Sequence, residues 1–168
     1  KEIYNALTLG IEAFNCESLQ EIYVINEMAH VHGLKANVSI RINPDIDAHT
    51  HKYVTTGLYE NKFGISQHEF DKLIEVLQKS EHINFIGLHF HIGSQITRVD
   101  EVFGLECQRV NEIVAYFERK GLKVNNINLG GGLGVDYDDP DENPIPDFET
   151  WFRTISENII RREDQTVH

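Results

Sequence analysis

The chain has 168 residues, 40% of them apolar, and a formal charge of −12 at pH 7 from 27 acidic against 15 basic side chains. That length suits one domain with a real core, and the acidic excess argues against a surface for phosphate backbones, so no nucleic-acid partner is expected. No apolar run approaches the roughly 20 residues that cross a bilayer, and the start Lys1-Glu2-Ile3-Tyr4-Asn5 lacks a signal-peptide pattern. Cys16 and Cys107 are too few for a disulfide framework. A cytoplasmic protein without a membrane partner is the expectation.

Strand-like and helix-like segments alternate along the chain. Leu7-Thr8-Leu9 predicts a short strand, and residues 18–32 a helix that starts at Ser18 and closes on Gly33. Residues 38–43 predict a second strand, followed by a polar loop over 44–65. Ser66-Gln67-His68-Glu69 has capping-box spacing and opens a helix with Phe70, Leu73, Ile74 and Leu77 on one face. Residues 84–91 predict a third strand, 99–120 a long helix ended by Gly121, and 124–129 a fourth strand. The acidic, proline-bearing stretch 138–146 reads as a surface loop. Asp147 then caps a last helix carrying Phe148, Trp151, Phe152, Ile155 and Ile159.

Repeated βα units imply parallel strands joined by right-handed crossovers. In 38–43 the apolar residues alternate with Ser39, Arg41 and Asn43. In the third strand Ile86, Leu88 and Phe90 would share one face, and Gly87, His89 and His91 the other. A parallel sheet covered on both faces would show continuous apolar runs instead. The fold class expected is therefore α/β, a partial β/α (TIM-type) barrel of about four of its eight units, with the polar face as barrel interior. A small open α/β domain is the alternative. A whole barrel takes about 250 residues, and four strands alone would leave two unpaired edges. Residues 1–168 are thus expected to be the central or C-terminal part of a barrel domain in a larger enzyme.

Two glycine-bearing signatures carry the chemistry. Gly130-Gly131-Gly132 follows Ile127-Asn128-Leu129 directly; consecutive glycines permit positive φ and let amides converge on an anion, which favours a phosphate cradle over a plain turn. The spacing matches neither the dinucleotide fingerprint nor the Walker loop. His89 and His91 project to one side of their strand. Such a pair can ligate a metal if further ligands join it, and Asp45, Asp47, His49 and His51 lie in a neighbouring loop. Gly93-Ser94 after His91 suits an aromatic phosphate ester better than a cation, so no metal is assigned. Arg41 sits mid-strand on the polar face, where an unpaired guanidinium would be very costly. Its anion is either an internal carboxylate or a ligand. Lys62 and the acidic run from Asp136 to Glu142 read as solvated.

Gly87-Leu88-His89-Phe90-His91-Ile92-Gly93-Ser94-Gln95-Ile96 resembles the signature of the diaminopimelate decarboxylases, pyridoxal-phosphate enzymes of the alanine racemase-like barrel class. Asn128-Leu129-Gly130-Gly131-Gly132-Leu133-Gly134 resembles it too, as does Arg41-Ile42-Asn43-Pro44-Asp45 leading into Thr50-His51, Thr56-Gly57 and Lys62-Phe63-Gly64. The resemblance implies pyridoxal 5'-phosphate as cofactor. His91 would stack on its pyridine ring, Ser94 and the amides of Gly131 and Gly132 would hold its phosphate, Gly130 would belong to the same cradle, and Arg41 to the polar shell around the site.

It further implies removal of the carboxylate at the D-centre of meso-diaminopimelate to give L-lysine, as part of lysine biosynthesis. The working form would be a homodimer with shared active sites, with Lys62 toward the partner. The family's Schiff-base lysine, its Glu-Pro-Gly-Arg-like stretch and its C-terminal β domain match nothing in this sequence. No catalytic residue is therefore assigned, and the chain alone is expected to be inactive. Cys16-Glu17-Ser18 repeats the letters of a cross-dimer element of the family, but Ser18 reads as a helix start and the match as coincidence. The alternatives are a related decarboxylase of arginine, ornithine or carboxynorspermidine, a metal-dependent barrel hydrolase using His89 and His91, or a non-catalytic binding domain.

Overall fold

The structure, a computed structural model, describes residues 1–46, 63–139 and 147–168. It opens on helix α1 (Glu2–Leu9), which takes in Leu7-Thr8-Leu9 where the sequence predicts a strand. Gly10 ends this helix in the left-handed region at φ 66, its amide donating to Leu7 O while that of Ile11 donates to Ala6 O. Three residues of strand character yield to a helix already begun upstream, because each added residue gains a bond. The remaining elements are β1 (Phe14–Cys16), α2 (Leu19–Val31), β2 (Ala36–Ile42), α3 (Phe70–Lys79), β3 (Ile83–Phe90), α4 (Val99–Arg119), β4 (Asn126–Asn128), α5 (Phe148–Asn158) and β5 (Thr166–Val167).

The helix starts follow their side chains. Ser18 Oγ accepts from the Glu21 amide at 3.2 Å, and the Glu21 carboxylate accepts from the amides of Ser18 and Glu17 at 3.1 and 2.6 Å. Glu69 accepts from the Ser66 amide at 3.3 Å, opening a 3₁₀ turn that runs into α3. Asp147 Oδ1 accepts from the Thr150 amide at 2.9 Å at the start of α5.

All five strands are parallel and lie in the order β1-β2-β3-β4-β5. Sequential order with crossovers of one hand keeps the helices on one face, as in an arc of a β/α barrel. An open doubly wound sheet would instead reverse its order partway across. Four βα units are present among the described residues; β1, at Phe14–Cys16, and β5 are strands that the sequence reading does not place. Val38, Ile40, Ile42, Leu88 and Phe90 point to the helix side and bury against Ile22 and Ile25 of α2, Leu73 of α3, and Val110 and Phe117 of α4. Each such side chain contributes roughly 1.5–3 kcal/mol by leaving water.

The opposite face, helix-free among the described residues, is set by a bulge. Val38 pairs with Phe85, but Ser39 pairs with Gly87, so Ile86 is an extra residue in β3. Phe85 consequently turns to the helix side and stacks on Phe117, with ring centroids 6.2 Å apart. Ile86 turns the other way and lines a cavity of about 250 Å³ with Asn15, Ser39, Asn126 and Asn128. The expected grouping of Ile86 with Leu88 and Phe90 is thereby corrected: one inserted residue reverses the parity of everything before it. Gly87 is required here because a Cβ would strike the backbone of Asn126.

Candidate functional site

A polar row crosses the helix-free face toward the C-terminal ends of the strands. Arg41 of β2 pairs in register with His89 of β3, and His89 with Asn128 of β4. Glu17, just past β1, flanks Arg41 and supplies its anion: Arg41 Nη1 donates to Glu17 Oε1 at 2.6 Å. The guanidinium also lies 5.3 Å from the ring centre of Phe63. Of the two partners open to Arg41, the structure therefore shows the internal carboxylate. Glu17 is a functional candidate that sequence reasoning missed; only the register places it beside Arg41.

His89 is half-buried, and its Nδ1 is buried with no hydrogen-bond partner. Burial, then the charges of Arg41 and His91, hold its pKa below the ordinary histidine value, with Glu17 opposing. His91 follows two residues later, at the strand end. Its Nδ1 would lie 3.0 Å from a Cβ placed on Gly130, so the imidazole and the glycine loop are in direct apposition.

The two signatures form one body. Ile96 N donates to Gly132 O at 2.8 Å and Gly134 N to Ile96 O at 2.9 Å, making a parallel bridge between Ile96 and Leu133. Gln95 Oε1 accepts from Val135 N at 2.8 Å while its Nε2 donates to Val135 O at 3.2 Å. These bonds hold Gln95 at φ 57, a conformation rare outside glycine. Beneath the turns, Ile96, Val99 and Phe103 form a second small core with Ile92, Leu133 and Trp151.

Gly130 and Gly132 have φ 73 and 104, and a Cβ on either would strike a carbonyl, of Phe90 and Gly93 respectively. Gly131 differs. Its φ is not in the left-handed region, and a Cβ there would meet nothing within 4 Å. The expectation of positive φ along the glycine run therefore holds at its two flanks and not at its centre. The Gly130 amide is already used, donating to Asn128 Oδ1 at 2.8 Å. The amides of Gly131 and Gly132 have no partner among the described residues. Ser94 is exposed on the turn whose Gly93 carbonyl abuts Gly132.

Two uncommitted amides, an open patch over Gly131, a hydroxyl-bearing turn and an imidazole beside them fit a phosphate carried on a flat ring. Nothing in the fold itself asks for glycine at position 131, whereas a ligand approaching the backbone would. Among the described residues no group of three or more His, Cys, Asp or Glu comes together that could hold a metal. Asp47, His49, His51 and Lys62 lie outside the described residues.

All 168 residues match the family described as pyridoxal-dependent decarboxylase, pyridoxal binding domain. The diaminopimelate decarboxylase of Bacteroides thetaiotaomicron is 48% identical over 167 residues, which is 99% of this chain and 43% of that protein. That of Aquifex aeolicus is 37% identical over 163 residues, covering 95% of this chain and 38% of its own length. Two solved diaminopimelate decarboxylases in complex with L-lysine superpose closely. The Helicobacter pylori enzyme gives a TM-score of 0.80 at 37% identity, over 99% of this chain and 41% of that one. The M. jannaschii enzyme gives 0.82 at 33% identity, over 99% and 39%. The chain spans about two fifths of the length of these relatives. On the match across its whole length, it belongs to the pyridoxal-dependent decarboxylases, within their pyridoxal-binding domain.

Proposed function

We propose that residues 1–168 are the central or C-terminal part of the cofactor-binding barrel of a diaminopimelate decarboxylase, which converts meso-2,6-diaminopimelate to L-lysine and carbon dioxide. The relatives' names and the L-lysine held by the two solved enzymes support the substrate class. The observation that carries the reading is the open patch over Gly131 beside two uncommitted amides.

Each residue has a physical task. The amides of Gly131 and Gly132, with the Ser94 hydroxyl, would bind the phosphate, whose charge converging amides stabilise without a desolvated cation. Gly130 would shape the turn, since its amide is spent on Asn128. His91 would lay its ring against the pyridine ring and fix its tilt, which orients the bond to be broken. Arg41, neutralised by Glu17, would serve as a polar wall rather than as an anion receptor. When bound, pyridoxal phosphate supplies the electron sink that decarboxylation needs. No residue of this chain is assigned the covalent bond to the cofactor or the proton transfers. The whole protein is proposed to act as a cytoplasmic homodimer; no helix among the described residues is long and apolar enough to cross a membrane.

The test is the visible absorption spectrum of the whole protein with pyridoxal phosphate, before and after meso-diaminopimelate, with carbon dioxide followed in parallel. A substrate-responsive band with gas release is expected. A band without gas release would move the substrate to another amino acid, and no band would remove the cofactor reading.

A further inference from the structure

His89 is left without a task by the arrangement above, yet its surroundings define its chemistry. It lies on the helix-free face of β3, between Arg41 and Asn128 in register and two residues before His91. Its Nδ1 is sealed from solvent and unpartnered, while Nε2 is not among the buried unpartnered atoms.

A neutral imidazole carries one N–H and one lone pair. Orphaned buried backbone N–H groups are rarer in folded proteins than under-satisfied acceptors; the same physics applied to the ring assigns the lone pair to Nδ1 and the proton to Nε2. A second proton would have to sit on the sealed nitrogen, with the Arg41 guanidinium on the neighbouring strand in register. Among the described residues Glu17 is the acidic group acting on this imidazole, and it is already bonded to Arg41. The ring is therefore a fixed neutral donor, suited neither to abstracting a proton nor to holding a metal through Nδ1.

We propose that His89 Nε2–H is a positioning donor to the phenolic oxygen of pyridoxal phosphate, setting the rotation of the ring that His91 holds by its face. This rests on the cofactor reading given above. The phosphate oxygens find their donors at Gly131, Gly132 and Ser94, and the ring's own oxygen is the acceptor for a neutral donor in the polar row below His91.

Two measurements on the whole protein test this. Long-range ¹H–¹⁵N spectra of histidine-labelled protein, with His89 assigned by its loss in His89→Gln, are expected to show the neutral Nε2–H form unchanged from pH 6 to 8. An Nδ1–H form or a cation in that range would overturn the proposal and leave the cofactor reading intact.

In pyridoxal phosphate titrations followed by absorbance, His89→Leu is expected to lose about three- to tenfold in affinity, the scale of one hydrogen bond, and to shift the bound band. His89→Gln, whose amide nitrogen can take the place of Nε2, is expected to restore both, and His89→Asn is not. Unchanged binding in His89→Leu, or rescue by Asn instead of Gln, would overturn the inference while wild-type binding still upheld the cofactor. Absence of binding by the wild type would overturn both.

Discussion

Arg41 and Glu17 meet at 2.6 Å across the C-terminal ends of β2 and β1, with side chains 17% and 40% exposed. A guanidinium so placed keeps its charge satisfied whether or not a ligand is bound. Half-exposed pairs of this kind contribute about 1 kcal/mol. Glu17→Gln and Arg41→Met are each expected to lower the unfolding free energy by about that much, with the double variant no worse than either single one. Chemical denaturation of the four proteins measures this. If Arg41 serves the ligand instead, Arg41→Met will weaken cofactor affinity while Glu17→Gln leaves stability alone.

The three consecutive glycines are expected to respond differently to the same added methyl. Gly131→Ala meets no atom within 4 Å and no backbone penalty, so its melting temperature should stay within about 2 °C of wild type. Its pyridoxal phosphate affinity should nevertheless fall by about tenfold or more, because the Cβ occupies the ligand's approach. Gly130→Ala and Gly132→Ala should instead be destabilised, since their Cβ atoms run into the carbonyls of Phe90 and Gly93. Equal loss of stability at all three positions would mean that the centre of the loop is structural as well.

Glu106 lies within the apolar stripe of α4, fully buried, and neither carboxylate oxygen has a partner. Burial pushes its pKa from 4.5 up to about 8. The folded state therefore holds a proton that the unfolded state releases above pH 4.5, and stability is lost as pH rises from there through about 8. The cost at pH 7 is about 3 kcal/mol, at about 1.4 kcal/mol per unit. Glu106→Gln is expected to flatten the slope of unfolding free energy between pH 5 and 8, measured by urea titrations at several pH values. A slope that survives the substitution would assign the pH dependence elsewhere.

Cys16 and Cys107 are both free and buried. Burial, assisted by Glu21, pushes the Cys16 thiol up to about 12, and burial with Glu106 does the same for Cys107. Alkylation at pH 8 should modify neither thiol in the folded protein and both in denaturant, as counted by intact mass. Rapid labelling of the native protein at either site would contradict the burial described here.

Much of this architecture is written in local pattern. The capping residues Ser18, Ser66 and Asp147 each mark a helix start, and the alternation in β2 separates a helix side from a polar side. What the sequence conceals is tertiary. The bulge at Ile86 is invisible to a period-two count, because the shift exists only relative to β2; Gly87 is its one local hint. Glu17 looks like an ordinary residue before a helix until the register sets it next to Arg41. Glu106 looks like a solvated charge on a long amphipathic helix, although its place in the series Phe103, Glu106, Val110 puts it among buried residues. At the site, the sequence singles out the glycine loop and His91, but not that Asn128 consumes one loop amide or that Gly131 alone lacks a steric reason to be glycine.

The bridge between Ile96 and Leu133, reinforced by the two bonds of the Gln95 carboxamide to Val135, has a consequence for how such sequences can be recombined. Residues 91–97 and 130–135 are far apart in the chain but form a single rigid inheritance unit. A chimera that imports one of these turns from a relative must import the other with it, or the paired bonds between Ile96 and Gly132 and between Gln95 and Val135 will be graded against two different rulers.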